Sequence, residues 1–354
     1  MNPSTPKTIL AELTVIVPTF GRPIAAEAIA SQWAPQVGHM IIVDGSKMPS
    51  GDAFNRFPNV TYVHDPRAIE VRLGRASELV ATRFAMLQSD DDVFVPSAIA
   101  ACISELERNS AYCAVSPTAI RVDGQVLAAL SYPSALRWDN SASLRAERIK
   151  HLGRNYTPSC LYGVCRSQAL KASLLTMAKD PVPVYAFWEL HHEFVVNGLG
   201  GVKVMPVVGW LRRDSYASID SRDKSQGVPW FADPDSEQRE RFVQGVTSAL
   251  SEAMASSLSE VRNDVEAGLA AYAEGYLAAR RQRTQRFRQM YQGCVPRPIK
   301  RAIKITRRVC RRRRGRPMDS KTLAAQGILL PDDALKLLEA RIKLEYRLTK
   351  VVRK

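Results

Sequence analysis

Apolar and polar positions alternate in blocks along the first hundred residues. The short β-branched runs Thr14-Val15-Ile16-Val17, Met40-Ile41-Ile42-Val43 and Val60-Thr61-Tyr62-Val63, followed by the apolar Phe84-Ala85-Met86-Leu87, read as four strands. Between them, Ile24 to Trp33 and about Arg72 to Ala81 carry helical spacing. Strands that alternate with helices imply βαβ crossovers and hence a parallel sheet. The fold class expected is therefore α/β, a Rossmann-like, mostly parallel sheet with flanking helices. From Asp235 onward the apolar positions Phe242, Val246, Leu250, Met254, Leu258, Val261, Val265, Leu269, Tyr272 and Tyr276 recur every three or four residues, which predicts one or two amphipathic helices packed on the sheet domain. A last helix is expected from Asp332 to Val352, with Leu337, Leu344, Leu348 and Val351 as its apolar positions.

Open parallel sheets bind ligands beyond the carboxyl ends of their strands. Those ends carry Pro18-Thr19-Phe20-Gly21-Arg22, Asp44-Gly45-Ser46 and Asp90-Asp91-Asp92. Three consecutive carboxylates between the apolar Phe84–Leu87 and Val93–Val95 repel one another unless water, a helix N-terminus or a cation answers them. A helix cap alone would not require Asp44 and Thr19 at the matching ends of neighbouring strands, so the convergence favours binding of a metal and phosphates. Neither a G-x-G-x-x-G fingerprint nor a P-loop follows the first strand, which argues against a dinucleotide-binding or P-loop enzyme.

Composition changes the picture in one place. The formal charge of +15 arises from Gly275 to Met318, which holds sixteen Lys and Arg and no acid, leaving the rest of the chain at about −1. Within that stretch, IKRAIKITRRVCRRRRGRP sets Ile299, Ala302, Ile303, Thr306, Val309 and Cys310 on one stripe with cations around it. A basic amphipathic helix of this kind suits an anionic membrane surface, here through residues 297–316. The competing readings are a solvated linker and nucleic-acid binding; the second is disfavoured because the segment lacks aromatic residues for base stacking. The six cysteines show no CxxC pair or zinc-ligand spacing and read as buried or free thiols. The N-terminus has no signal-peptide pattern and no apolar run is long enough to span a bilayer, which places the protein, as an expectation, in the cytoplasm or on the inner face of the plasma membrane.

Taken together, LTVIVPTFGRP, IIVDGS and ELVATRFAMLQSDDDVFVP resemble the nucleotide-binding half of a family 2-like glycosyltransferase with the GT-A fold, in the bacterial branch whose metal motif is a DDD. The likeness covers about residues 12 to 100, and extends more loosely to about 215 through LYGVCRSQAL and FWELHHEFVVNGLGGVKVMP. It implies a metal-dependent, inverting transfer of a sugar from a nucleotide-sugar donor to a glycan or lipid-linked acceptor, as in surface-polysaccharide synthesis, with Mg²⁺ or Mn²⁺ as cofactor. The alternative is a catalytically degenerate protein that retains the nucleotide pocket or serves in a membrane-associated assembly.

The resemblance puts Pro18, Thr19, Arg22, Asp44, Arg72, Asp90 and Asp91 on the nucleotide sugar, and Asp90 and Asp92 on the metal. It points to Glu189 in FWELHHEF as the base, with His192 and Glu193 as competitors on the same helix face by their i, i+3, i+4 spacing. Tyr162, Arg166 and Arg212 fall on the acceptor side. The sequence departs from the commoner pattern at Arg72-Leu73-Gly74-Arg75-Ala76, where an A-R-N segment is usual, and at FWELHHEF, where a Glu-Asp pair is usual. The expected organisation is a GT-A domain over 1–235, a helical extension over 236–292, a basic segment over 293–318 and a C-terminal helix over 319–354.

Overall fold

A computed structural model of the chain describes residues 9–123, 126–182, 187–213, 229–292 and 318–352. The first four strands form where the β-branched and apolar runs predict them. β1 (Leu13–Thr19), β2 (His39–Asp44), β3 (Val60–His64) and β4 (Phe84–Leu87) pair in parallel, in the order β3-β2-β1-β4. Their crossovers are α1 (Pro23–Trp33) and α2 (Ile69–Glu78). Pro23 begins α1 because a helix's first N–H needs no intrahelical acceptor.

Beyond β4 come β5 (Val93–Phe94), α3 (Pro96–Arg108), β6 (Tyr112–Asp123), β7 (Val126–Leu130), β8 (Asp139–Asn140), α4 (Arg145–Arg154), β9 (Val164–Arg166), α5 (Ser167–Lys179), α6 (Phe187–Leu199) and β10 (Gly201–Arg213). The sheet continues β4-β9-β6-β10-β5, with β9 antiparallel to both neighbours, β6 and β10 parallel, and β5 antiparallel to β10. The result is a mostly parallel, mixed sheet. Asp123 pairs with Val126 as a hairpin requires, while Gly124 of that turn lies outside the described residues.

Because the central strands are covered on both faces, they are apolar throughout. Val15, Val17 and Ile42 face Ile29 and Ile103 of α1 and α3 on one side; Ile16, Ile41 and Leu87 face Leu73, Leu174 and Phe194 of α2, α5 and α6 on the other. This second layer is thickened by α7 (Glu237–Met254) and α8 (Leu258–Gln292), whose Phe242, Val246, Leu250, Val261, Val265 and Leu269 are buried as their spacing predicts. Met254 and Leu258 are exposed instead. Between them Ala255 adopts a left-handed conformation (φ 49°) that ends α7, so the apolar stripe is broken at the corner.

The C-terminal helices α9 (Ser320–Ala325) and α10 (Ala334–Val352) return to the sheet. Leu329 bridges Val207, exchanging backbone bonds with Pro206 and Val208, and Leu323, Ile328, Ala334 and Leu338 complete a third apolar cluster with Val93, Ile120, Val208 and Leu211. The basic segment 297–316 lies outside the described residues. Among the described residues, Cys102, Cys113, Cys160 and Cys165 are buried free thiols, and no helix is long and apolar enough to cross a membrane.

Candidate active site at the carboxyl edge of the sheet

In the β1–β2 register Thr19 stands beside Asp44, which brings the two strand ends and their loops to one level. The turn after β1 reverses at Gly21, whose φ of +67° is a left-handed value that side chains other than glycine rarely adopt. Its N–H donates to Ser46 Oγ (2.8 Å), and Gly45 N–H donates to the Thr19 carbonyl (2.9 Å), so the two loops are stitched together. Asp44 is fully enclosed. Its carboxylate accepts bonds from Ser46 N–H (2.8 Å), the Tyr62 hydroxyl (2.6 Å) and Ser50 Oγ (3.3 Å). Burial would raise its pKa, but these bonds outweigh it and hold the group below the usual carboxylate range.

Arg72, from the first turn of α2, lies buried beneath this pair of loops. It donates to the Thr19 carbonyl (3.2 Å) and packs so closely on Gly45 that a Cβ there would collide with its guanidinium. Burial lowers its pKa, against the opposing charges of Asp44, Asp65 and Glu70. Arg72 thus braces the two loops against each other. Arg67 is held by Asp65, whose carboxyl it pulls down to about 2.

The three carboxylates are differentiated by their partners. Asp90 accepts Thr19 Oγ1 (2.8 Å) and Arg22 Nη1 (2.8 Å); Asp91 accepts the same Arg22 nitrogen (3.1 Å) and is the more exposed of that pair. Asp92 is turned inward, accepting the Trp210 indole N–H (2.6 Å) and the Arg213 backbone N–H (2.9 Å). The sheet explains this placement, since β5 follows Asp92 at once and pairs Phe94 with Trp210 and Val93 with Leu211. Burial pushes the Asp92 carboxyl up to about 6, with the Asp91 charge adding to the effect and the two donors opposing it. Asp90 is also raised, by burial first, although Arg22 and Thr19 counter it. The loop therefore sets three carboxylates side by side, two of them sharing the Arg22 cation.

Glu189 reaches the same edge by topology. β10 begins two residues after α6 ends and runs parallel to the central strands, so α6 runs opposite to them and its first turn, with Glu189, lies at their carboxyl ends. Tyr162 lies within electrostatic reach of both Glu189 and the carboxylate loop. Its hydroxyl is raised in pKa by burial first, and then by the charges of Glu189, Asp92 and Asp91. The Tyr162 ring meets Trp210 edge-on (4.9 Å between centroids) and Phe94 (6.0 Å), while Tyr132 tilts against Trp210 (5.6 Å). Arg212, on the exposed side of β10, bonds the Tyr132 hydroxyl (2.8 Å) and lies over its ring. An aromatic wall thus joins the carboxylates to the helix that carries Glu189.

Three of the residues expected from sequence are elsewhere. His192 points into the core, bonded to Ser173 Oγ (3.1 Å), with burial pushing its pKa down to about 4; the i, i+3 spacing from Glu189 does not bring it to the edge. Arg166 pairs with Phe84 at the start of β4, the opposite edge of the sheet, where it ties down the carbonyls of Leu106, Asn109 and Tyr112. It cannot face an acceptor. Glu193 is likewise buried, its carboxylate accepting three successive N–H groups, Ser159 (2.8 Å), Cys160 (2.9 Å) and Leu161 (2.9 Å), together with Ser159 Oγ (2.7 Å). It anchors the loop that carries Tyr162 to the helix that carries Glu189.

No family model matches the chain, and no curated protein matches it. Similar chain paths occur in solved structures. TarS 1–349 of S. aureus is 12% identical, with a TM-score of 0.40 over 75% of this chain and 91% of that one. Glucosyl-3-phosphoglycerate synthase from Mycobacterium tuberculosis, in complex with Mn²⁺, UDP and glucosyl-3-phosphoglycerate, is 11% identical, with a TM-score of 0.37 over 73% of this chain and 87% of that one. At such values the similarity says nothing of chemistry, and the reading of the site rests on its own residues.

Sequence reasoning missed Trp210, Tyr62, Arg341 and Glu345. Tyr62 had a signal, since it sits two residues before the end of β3 with its hydroxyl level with Asp44. Trp210 had only a weak one, its place in the apolar β10 run; Arg341 and Glu345 had none.

Proposed function

We propose that the chain is a metal-dependent, inverting glycosyltransferase that moves a sugar from a nucleotide-sugar donor to a glycan or lipid-linked acceptor. The observation that carries this reading is the bonded cluster at the strand ends, where Thr19 and Arg22 hold Asp90 and Asp91 beside the enclosed Asp44, with Glu189 in the first turn of α6 at the same edge of the sheet.

Among the described residues no group of three or more His, Cys, Asp and Glu could by itself hold a metal ion. A Mg²⁺-like ion does not need one, because it is commonly bound by one or two carboxylates plus substrate phosphates and water. Asp91 and Asp92 are assigned that role: both offer hard oxygen, Asp91 is more exposed than Asp90, and a carboxylate oxygen that accepts one protein bond keeps a lone pair for a cation. Asp90, the other metal ligand expected from the sequence, is answered by the Arg22 cation and Thr19 and braces those two residues, whereas both backbone and indole donors to Asp92 are neutral N–H groups. When bound, the divalent ion neutralises negative charge that develops on the departing nucleoside diphosphate. Arg22 offers its guanidinium to phosphate oxygens at the mouth of the pocket. Pro18, Thr19 and Asp44 hold the loop against which the nucleotide lies, with Arg72 as its support. Tyr162 and Trp210 exclude water on the acceptor side, next to Arg212. Glu189 accepts the proton of the attacking hydroxyl, which gives a direct displacement with inversion.

One observation favours the runner-up, a degenerate nucleotide-sugar binder: each Asp92 oxygen already has a protein donor. Transfer assays on a panel of nucleotide sugars with Mn²⁺, comparing wild type with Glu189→Gln, separate the two. Turnover lost with donor affinity kept supports the enzyme; binding with no turnover in either protein leaves the binder. The membrane expectation for 297–316 is kept as part of the proposal, placing the enzyme at the inner face of the plasma membrane. It predicts co-sedimentation with anionic but not neutral vesicles, reduced by salt; equal pelleting on both would remove it.

A further inference from the structure

Helix α10 buries a charge against the carboxylate loop. The Arg341 side chain is 1% exposed, and its Nη2 donates to two carbonyls from different parts of the chain, Ala25 (2.8 Å) and Asp90 (3.1 Å). Ala25 lies in the first turn of α1, three residues after Arg22. One turn along α10, Glu345 receives Arg341 Nε (2.6 Å) and both terminal nitrogens of Arg213 (3.0 Å each). Burial would raise the Glu345 pKa, but the Arg213 bonds and the two cations hold it below its usual value. Arg213 is the residue whose backbone N–H bonds Asp92. A chain of contacts therefore runs from α10 to three parts of the pocket: the Arg22 helix, the Asp90 backbone and the Asp92 carboxylate.

Packing alone does not require these groups. The apolar residues Leu323, Ile328, Ala334 and Leu338 already dock this segment, and an aliphatic side chain in place of a buried ionic group is often as stabilising or more so. What an aliphatic chain cannot do is reach two carbonyls with one planar fork and fix their separation.

We propose that α10 is a positioning element of the donor site, in which Arg341 sets the spacing between the Asp90 loop and α1, and Glu345 holds Arg213 so that Asp92 keeps its orientation. Neither residue touches substrate. The inference rests on the reading of Asp91 and Asp92 as the cation site, and adds that this site forms only with the C-terminal helix in place.

The test uses the full-length chain with Mn²⁺ and a nucleoside diphosphate (UDP or GDP), whose phosphates supply the remaining ligands, with protein-bound Mn²⁺ followed by electron paramagnetic resonance and folding by thermal melting. Arg341→Met is expected to weaken Mn²⁺ binding about tenfold, Glu345→Gln about threefold, and Arg341→Lys, which keeps the charge but reaches fewer acceptors, by an intermediate amount. Leu338→Ala, on the apolar side of the same helix, is expected to lower the melting temperature at least as much as Arg341→Met while leaving Mn²⁺ affinity within twofold. Wild-type affinity in Arg341→Met and Glu345→Gln would overturn the proposal, as would affinity that falls in step with melting temperature across all variants, Leu338→Ala included. Should Arg341→Met not fold, Arg341→Lys and Glu345→Gln decide alone. Failure of the underlying reading looks different: with the nucleoside diphosphate present the wild type would bind no Mn²⁺, or Asp92→Asn would bind it unchanged, and the proposal would fall with it.

Discussion

The two walls of the pocket are built on opposite principles. On the β1–β4 side, each candidate group stands within a few residues of the end of a buried apolar strand; the register brings Thr19 level with Asp44, and Thr19 bonds Asp90 just beyond the end of β4. On the β10 and α10 side, the groups that matter come from positions 210, 213, 341 and 345 and meet only when distant segments pack. The first wall is set by local pattern and the second by tertiary closure. A change on the first should therefore act on chemistry directly, and a change on the second through geometry.

The sharpest contrast is expected at Glu189. Glu189→Gln keeps size and hydrogen bonding but cannot take a proton, so turnover should fall by about 10²-fold or more while donor affinity, measured by calorimetry, stays near wild type. Wild-type turnover in this variant would reassign the base. Asp92→Asn is expected to be nearly as severe in Mn²⁺-supported turnover. It also carries a folding cost of about 1–3 kcal/mol, because the amide N–H₂ must face either the Trp210 indole or the Arg213 amide, both donors. A melting curve taken beside the assay separates the two losses.

How much of this was legible beforehand follows from the same contrast. Strands β1 to β4 and helices α1 and α2 stand out because burial on both faces demands uninterrupted β-branched runs, and the polar residues that end those runs are conspicuous. The residues of FWELHHEF were legible only as a helix face. Spacing placed Glu189, His192 and Glu193 together, yet the core takes His192 and Glu193, and Glu189 alone lies in the turn that reaches the edge. The final helix shows the limit best. Its expected seam was Leu337, Leu344, Leu348 and Val351, whereas its buried positions are Ala334, Leu338 and Arg341. A charged residue reads as solvated until a partner two hundred or more residues away is known, and for Arg341 those partners are the carbonyls of Ala25 and Asp90.

Glu193 sharpens the comparison from the structural side. It shares α6 with Glu189, but its carboxylate is occupied by the backbone of residues 159–161. In Glu193→Gln, all three N–H groups meet one oxygen, Oε1, which glutamine keeps, and the new N–H₂ faces only the Ser159 hydroxyl, which can turn to accept; what is lost is the charge on the acceptor, so a loss of about 1 kcal/mol is expected. Turnover at a temperature well below the melting point should fall far less than in Glu189→Gln. Equal losses in the two variants would mean that Glu193 acts in the chemistry.

The smallest effect expected is a dependence of stability on pH that belongs to Asp92. Its folded-state pKa of about 6 lies above the ordinary aspartate value of 3.8, so between those values the folded protein holds a proton that the unfolded chain has released. Folding is favoured by that proton below about 3.8, and the advantage disappears as pH rises through about 6. Each pH unit of the interval corresponds to at most about 1.4 kcal/mol, which sets the scale at about 1–3 kcal/mol before other groups are counted. Asp44, Asp65 and Glu345 have lowered pKa values and act in the opposite sense, gaining stability as pH rises through their own range. The difference between wild type and Asp92→Asn therefore isolates the term. With EDTA present, the wild-type melting temperature should drop relative to that of Asp92→Asn as pH goes from 4 to 7, by a few degrees. Adding Mn²⁺ at pH 7 should recover part of the wild-type loss and leave the variant unmoved, because the ion replaces the proton as the counter-charge of Asp92. A wild-type and variant difference that stays constant from pH 4 to 7 would mean that Asp92 is ionised throughout, and that the neutral N–H donors of Trp210 and Arg213 already stabilise the carboxylate without the ion.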